Sequence, residues 1–193
     1  HEKCMAKLAV CDDGLKNWGY AEILSTLNDF GFSKHKGDVL YETPYKNREF
    51  IWCNPNNKKH CITMPDASYL VEPIKGVWLM AIDANVYAPQ WQNSPLTFKG
   101  SSGAGYNALI DAKPLLLKWI KTVVKRAKTQ NKTLVAFSHF PMGEFYDNAN
   151  DELHKVFSRG HFSLPRVPTP RTAKILADTG LTLHFAGHMH LND

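Results

Sequence analysis

Leu181-Thr-Leu-His-Phe-Ala-Gly-His-Met-His190 runs as an apolar strand into a glycine and then delivers two histidines one residue apart. Side chains of a strand alternate between its faces, so His188 and His190 share a face if the strand continues. If the backbone turns at Gly187, the pair sits on a loop at the strand's C-terminal end, where open α/β sheets place their ligand sites. Neutral imidazole is the commonest metal ligand, so the pair is a metal-site candidate; a chance pair near a chain end is the alternative. What weighs one against the other lies upstream.

Asn131-Lys132 leads into a short apolar strand, Thr133-Leu-Val-Ala-Phe137, which ends in Ser138-His139-Phe-Pro141. About 25 residues later, Thr169 with Pro170 at the first helical position starts a short helix that Gly180 stops, and the final strand, Leu181 to Ala186, follows. Before Thr133, an apolar stripe of Ala112, Leu116, Trp119, Ile120, Val123 and Ala127 predicts a helix capped by Asp111 and running to about Lys128, with Lys118, Lys121, Lys125 and Lys128 on the wet side. Before that helix, Ser68–Glu72 and Val77–Tyr87 read as two strands joined by a turn at Pro73–Gly76, a hairpin. The later rhythm is strand, helix, strand, helix, strand, the βαβ pattern whose strands run parallel with their C-terminal ends on one edge. That topology brings His139 beside His188 and His190, and three convergent imidazoles are hard to ascribe to chance.

Residues 1–66 form a less legible segment, and 67–193 carry the regular pattern. In the first segment, Tyr20, Ile23, Leu24, Leu27 and Phe30 have helical spacing up to Gly31, while 34–65 reads as irregular structure or a hairpin insertion. Cys53 and Cys61 bracket a polar loop and would close it as a disulfide in an oxidising compartment; His60 beside Cys61 keeps a zinc site open as the alternative. Localisation is accordingly cytoplasmic, or exported if that disulfide forms. The chain starts at His1 without an initiator Met and stops just after the His pair, so it reads as a piece of a longer protein. No run of about 18 apolar residues crosses a membrane. The charge of +5 is spread along the chain, which predicts a solvated basic surface and no nucleic-acid surface.

Thr-Leu-Val-Ala-Phe-Ser-His139-Phe-Pro, followed about 45 residues later by His-Phe-Ala-Gly187-His188-Met-His190, resembles the last two motifs of the calcineurin-like metallophosphoesterases. Leu79-Met-Ala-Ile-Asp83-Ala-Asn85-Val-Tyr87 is similar to that family's central strand, and the helix with Trp119 to the one after it. The resemblance covers roughly residues 67–193. It implies an αββα sandwich of two sheets, present here as an incomplete C-terminal part, and a dinuclear centre of divalent metals that hydrolyses phosphomonoesters or phosphodiesters. His139 and His188 would then ligate one metal and His190 the other; neutral imidazole and carboxylate suit Mn, Fe or Zn. The substrate would be a small phosphoester or a nucleotide.

The chain departs from that family in its first half. The family's Asp-x-His, Gly-Asp and Gly-Asn-His motifs are absent: Asp12-Asp13 follows a short apolar lead without the His, and Gly37-Asp38 reads as a turn. His1-Glu2 is a candidate end of a Gly-Asn-His-Glu motif, which makes His1 a candidate catalytic residue, with a plain terminal histidine as the alternative. Asp83 and Asn85 either orient a ligand histidine or hydrogen-bond their own turn. Gly100–Gly105 reads as a flexible loop more readily than a phosphate cradle, lacking the Lys-Ser/Thr of a P-loop. His154, His161, Tyr146 and Arg159 lie in the long loop over the proposed site, and His184, before the strand end, reads as a core residue. Missing strands would leave an unpaired sheet edge prone to self-association. The competing function is a non-catalytic, truncated or degenerate domain that binds a partner or a single metal.

Overall fold

The computed structural model describes residues 19–99, 104–143 and 168–187. The chain divides into two compact units, 1–33 and 34–193. In the first, helix α1 (Tyr20–Thr26) buries Leu24, and a 3-10 turn at Asn28–Phe30 ends on Gly31 in the left-handed region (φ 113°), where a glycine meets no Cβ penalty.

The second unit is mixed α/β. Its strands are β1 (Leu40–Glu42), β2 (Glu49–Asn54), β3 (Asn57–Pro65), β4 (Tyr69–Ile74), β5 (Val77–Ala81), β6 (Pro89–Gln90), β7 (Thr97–Phe98), β8 (Thr133–Ser138) and β9 (His184–Ala186). Its helices among the described residues are α2 (Tyr106–Ala112), α3 (Pro114–Thr129) and α4 (Pro170–Ala177). The main sheet has the order β1-β4-β5-β8-β9. β4 is antiparallel to β1 and β5, whereas β8 is parallel to β5 and β9, so the βαβ reading of the C-terminal half is met and the sheet is mixed. β4 and β5 form the expected hairpin, tighter than Pro73–Gly76: Ile74 pairs with Val77 and Gly76 takes φ 94°. Residue 66, the boundary expected from the sequence, lies inside this unit, and β1 from upstream of it pairs with β4. The polar stretch 34–65 resolves into β1 and a β2–β3 hairpin closed by the Cys53–Cys61 disulfide.

One sheet face is closed by the helices. Leu70, Trp78, Met80 and Ala136 point into a core shared with Tyr106, Leu109, Leu116, Ile120, Val123 and Leu176. Each of the Leu, Ile, Val and Met side chains contributes roughly 1.5–3 kcal/mol of burial. Glu72 lies on the same face with its carboxylate spent on the Gly76 amide (2.7 Å), the Trp78 indole (2.8 Å) and Lys132 (2.6 Å). Those partners, Lys132 first, hold its carboxyl down at about 2. On the other face, Phe137 and Phe185 pair across β8 and β9 and stay exposed.

Three expected elements differ. Asp111 caps nothing: it lies in α2, and the single expected helix is two, broken at Lys113 (φ −122°, ψ 56°). Pro114 lacks an N–H and crowds the residue before it out of the α region, so a new helix starts there. The strand from Val77 stops at Ala81 instead of Tyr87. Side chains take over its amides: Ser68 Oγ accepts from Asp83 N and the Asp83 carboxylate accepts from Asn85 N, each at 3.0 Å. The final strand is shorter too, starting at His184, although the carbonyl of Leu183 already accepts from Ala136 N (3.1 Å). The cap at Thr169 stands as read, its hydroxyl accepting from Thr172 N (3.2 Å) with Pro170 next.

Candidate metal centre

β8 and β9 run parallel and finish together, with Ser138 opposite Ala186. His139 is the first residue beyond β8 and is exposed, between half-buried Ser138 and buried Phe140. Its carbonyl accepts from Gly187 N at 3.1 Å, which ties the exits of the two strands together. A Cβ at Gly187 would stand 3.7 Å from His139 Nδ1, so Gly187 itself lies beside that imidazole. An exposed imidazole is a fitting donor for a borderline metal. His188, His190 and His1 lie outside the described residues, as do Tyr146, His154, Arg159 and His161. Among the described residues, no three His, Cys, Asp or Glu side chains gather around a common point.

Beneath His139 lies a polar network the sequence reading passed over. Ser138 Oγ is 2.7 Å from Phe140 O, 2.9 Å from the Tyr106 hydroxyl and 2.9 Å from His184 Nε2. A carbonyl only accepts, so the single Ser138 proton goes to Phe140 O. Tyr106 O–H and His184 Nε2–H therefore both donate to Ser138 Oγ, which assigns the His184 tautomer. Burial pushes the Tyr106 phenol up, keeping its proton in place, and pushes the His184 imidazole down to about 4, keeping it neutral. His184 is half-buried, short of the core position expected for it, and its ring is spent on Ser138.

A charged cluster closes the end of β5. Lys113 is fully buried, with Nζ at 2.7 Å from Asp66 Oδ2, 3.2 Å from Asp83 Oδ2 and 2.9 Å from Asp83 O. Asp83 Oδ2 also accepts from Ala67 N (3.0 Å), and Asp66 Oδ1 from Ser68 N (2.9 Å). Burial pushes the Asp66 carboxyl up; Lys113 opposes this and Asp83 adds to it. The Phe50 ring covers the ammonium at 4.8 Å. Of the two readings of Asp83, these bonds describe the turn: its carboxylate meets Asn85 N, Ala67 N and Lys113, while Asn85 is seen through its backbone amide. Sequence offered one signal for the cluster, an acidic residue at each of two strand-end turns, but nothing that paired them with Lys113.

The remaining candidates are quickly placed. Of the Gly100–Gly105 stretch, residues 100–103 lie outside the described residues; Gly105 turns the chain into α2 with φ 108° and gives its N–H to Ala84 O (3.0 Å). Gly37 sits in a turn whose ends are joined by Asp38 N to His35 O (3.1 Å). Cys61 is bonded to Cys53, and His60 packs edge-on against Trp91 at 4.9 Å, so that hairpin holds a disulfide in place of a zinc pair. No helix among the described residues is long and apolar enough to cross a membrane. Compared with known protein families, with curated proteins and with solved structures, the chain shows no match.

Proposed function

We propose that this chain supplies part of a metal-dependent phosphoesterase, with His139 and His188 as ligands of one divalent metal and His190 as a ligand of a second. The supporting observation is the joint exit of β8 and β9: the Gly187 N–H bond to His139 O and the 3.7 Å approach at Nδ1 bring Gly187, the residue that precedes His188, beside an exposed imidazole. Two bound cations, Mn, Fe or Zn, would supply positive charge for the phosphoryl oxygens and acidify an attacking water. The protein's own part would be to bring the imidazoles within reach of the metals. His1 and any carboxylate ligands would complete the set, and a small phosphoester or nucleotide would be the substrate.

The finer fold belongs to the same proposal. An αββα sandwich places a second sheet over the face that carries Phe137 and Phe185, and their exposure here supports that reading. Without such a cover, the open edge at β9 and these rings would favour self-association.

Metal analysis of the purified chain tests the proposal. Bound Mn or Zn that is lost on His139→Ala and on His188→Ala is the expected result; stoichiometric metal that survives both substitutions overturns it. Hydrolysis of bis-p-nitrophenyl phosphate by this chain alone is expected to be slight, since three imidazoles lack the bridging carboxylate of a two-metal site.

A further inference from the structure

His139 is held through its carbonyl and through the neighbours on either side of it. Ser138 Oγ donates to Phe140 O, closing a three-residue loop whose middle residue is His139. The Phe140 ring is buried in the core and meets the His139 ring edge-on at 4.9 Å. The His139 carbonyl is fixed by Gly187 N. The Ser138 hydroxyl that closes the loop is itself pinned by two donors from separate elements, Tyr106 from α2 and His184 from β9. One donated and two accepted bonds saturate it, so it has no spare valence for chemistry and one orientation in which all partners are satisfied.

From this arrangement we infer that Tyr106, Ser138 and His184 are positioning residues for His139, setting the path of residues 138–140 so that its imidazole meets a metal beside Gly187. The inference rests on the reading of His139 as a ligand. It goes further in assigning work to three residues that touch neither metal nor substrate and in fixing a tautomer for one of them. Partners that orient a ligand from behind commonly change metal affinity by about 10–100-fold when removed.

Cobalt(II) titration of the full chain, followed by its visible absorption, tests this together with thermal unfolding of each metal-free variant. Ser138→Ala and His184→Leu are expected to weaken cobalt binding by about tenfold or more. His184→Gln, whose amide can donate from near the Nε2 position, is expected to stay within about threefold of wild type; that rescue would not follow from a packing role alone. Tyr106→Phe should fall between the two. Leu176→Ala, a core truncation away from the network, is the control for lost stability and should leave the affinity unchanged. If Ser138→Ala does not fold, the contrast of His184→Leu with His184→Gln decides. Wild-type affinity in Ser138→Ala and His184→Leu, alongside lost binding in His139→Ala, overturns the inference and leaves the ligand reading standing. Equal weakening by Leu176→Ala also overturns it. Failure of the wild-type chain to bind cobalt, or indifference to His139→Ala, overturns both.

Discussion

The C-terminal ends of β5 and β8 lie side by side in one sheet and are tied down by different chemistry. At β5, an ammonium and two carboxylates are sealed in, with Lys113 fully buried against Asp66 and Asp83. At β8, three neutral groups share one hydroxyl, and the next residue, His139, stands in solvent. The difference separates anchoring from availability. A buried charge must be matched within the protein, so every oxygen of Asp83 is committed to Lys113 or to an amide and none is left for a ligand shell. A neutral network costs less to bury and can stop just short of the surface, leaving the adjacent imidazole oriented and exposed.

The largest expected effect breaks the charged side of this contrast. Lys113→Met leaves two buried carboxylates facing each other and should cost about 3–5 kcal/mol in urea unfolding at pH 7. Adding Asp66→Asn should recover part of that loss; no recovery would mean that Lys113 acts through packing. On the neutral side, Ser138→Ala strands the Tyr106 and His184 donors and should cost about 1–3 kcal/mol, less than the lysine substitution. An equal or greater loss would erase the distinction between the two ends.

Acid sharpens the contrast. The His184 imidazole is lowered from 6.5 to about 4 by burial, so the folded chain must stay neutral there while the unfolded chain gains a proton. Stability from that group is present above pH 6.5 and lost as pH falls towards 4. Glu72 is lowered from 4.5 to about 2, so its contribution persists to pH 4.5 and drains away towards pH 2. Denaturant midpoints measured from pH 7.5 to 2.5 should therefore decline in two stages, with His184→Gln flattening the first and Glu72→Gln the second. A first stage that persists in His184→Gln would assign it to another group. The smallest effect sets the scale: Asp178→Ala removes an exposed pair with Lys174 at 3.4 Å and should shift stability by less than about 0.5 kcal/mol.

Much of this architecture is written in local pattern. Thr169-Pro170 caps α4, the hydrophobic stripe of α3 buries Leu116, Ile120 and Val123, and the β4–β5 hairpin turns on Gly76. Parallel β8 and β9 follow from the helix between them, and with them the exposure of His139 at a shared sheet edge. Less visible was the short β1, whose three residues are half-buried and carry no alternation long enough to read; Glu42 holds it to α3 through Arg126 (3.0 Å) and Trp119 (3.2 Å). The break at Lys113 was signalled by Pro114, but a continuous apolar stripe across the junction hid it. The networks around Lys113 and Ser138 join residues 47 and 46 positions apart, and no periodicity records such pairings.

What the sequence by itself determined is the strand–helix–strand rhythm of the C-terminal half and the emergence of His139 at the end of β8, because propensity, capping and side-chain alternation act over a few residues. What only the tertiary structure decided is which of those strand ends stays exposed. That depends on burial and on partners brought together from distant segments: Lys113 closes over Asp83 at one end, while at the other Tyr106 and His184 satisfy Ser138 and leave His139 in solvent.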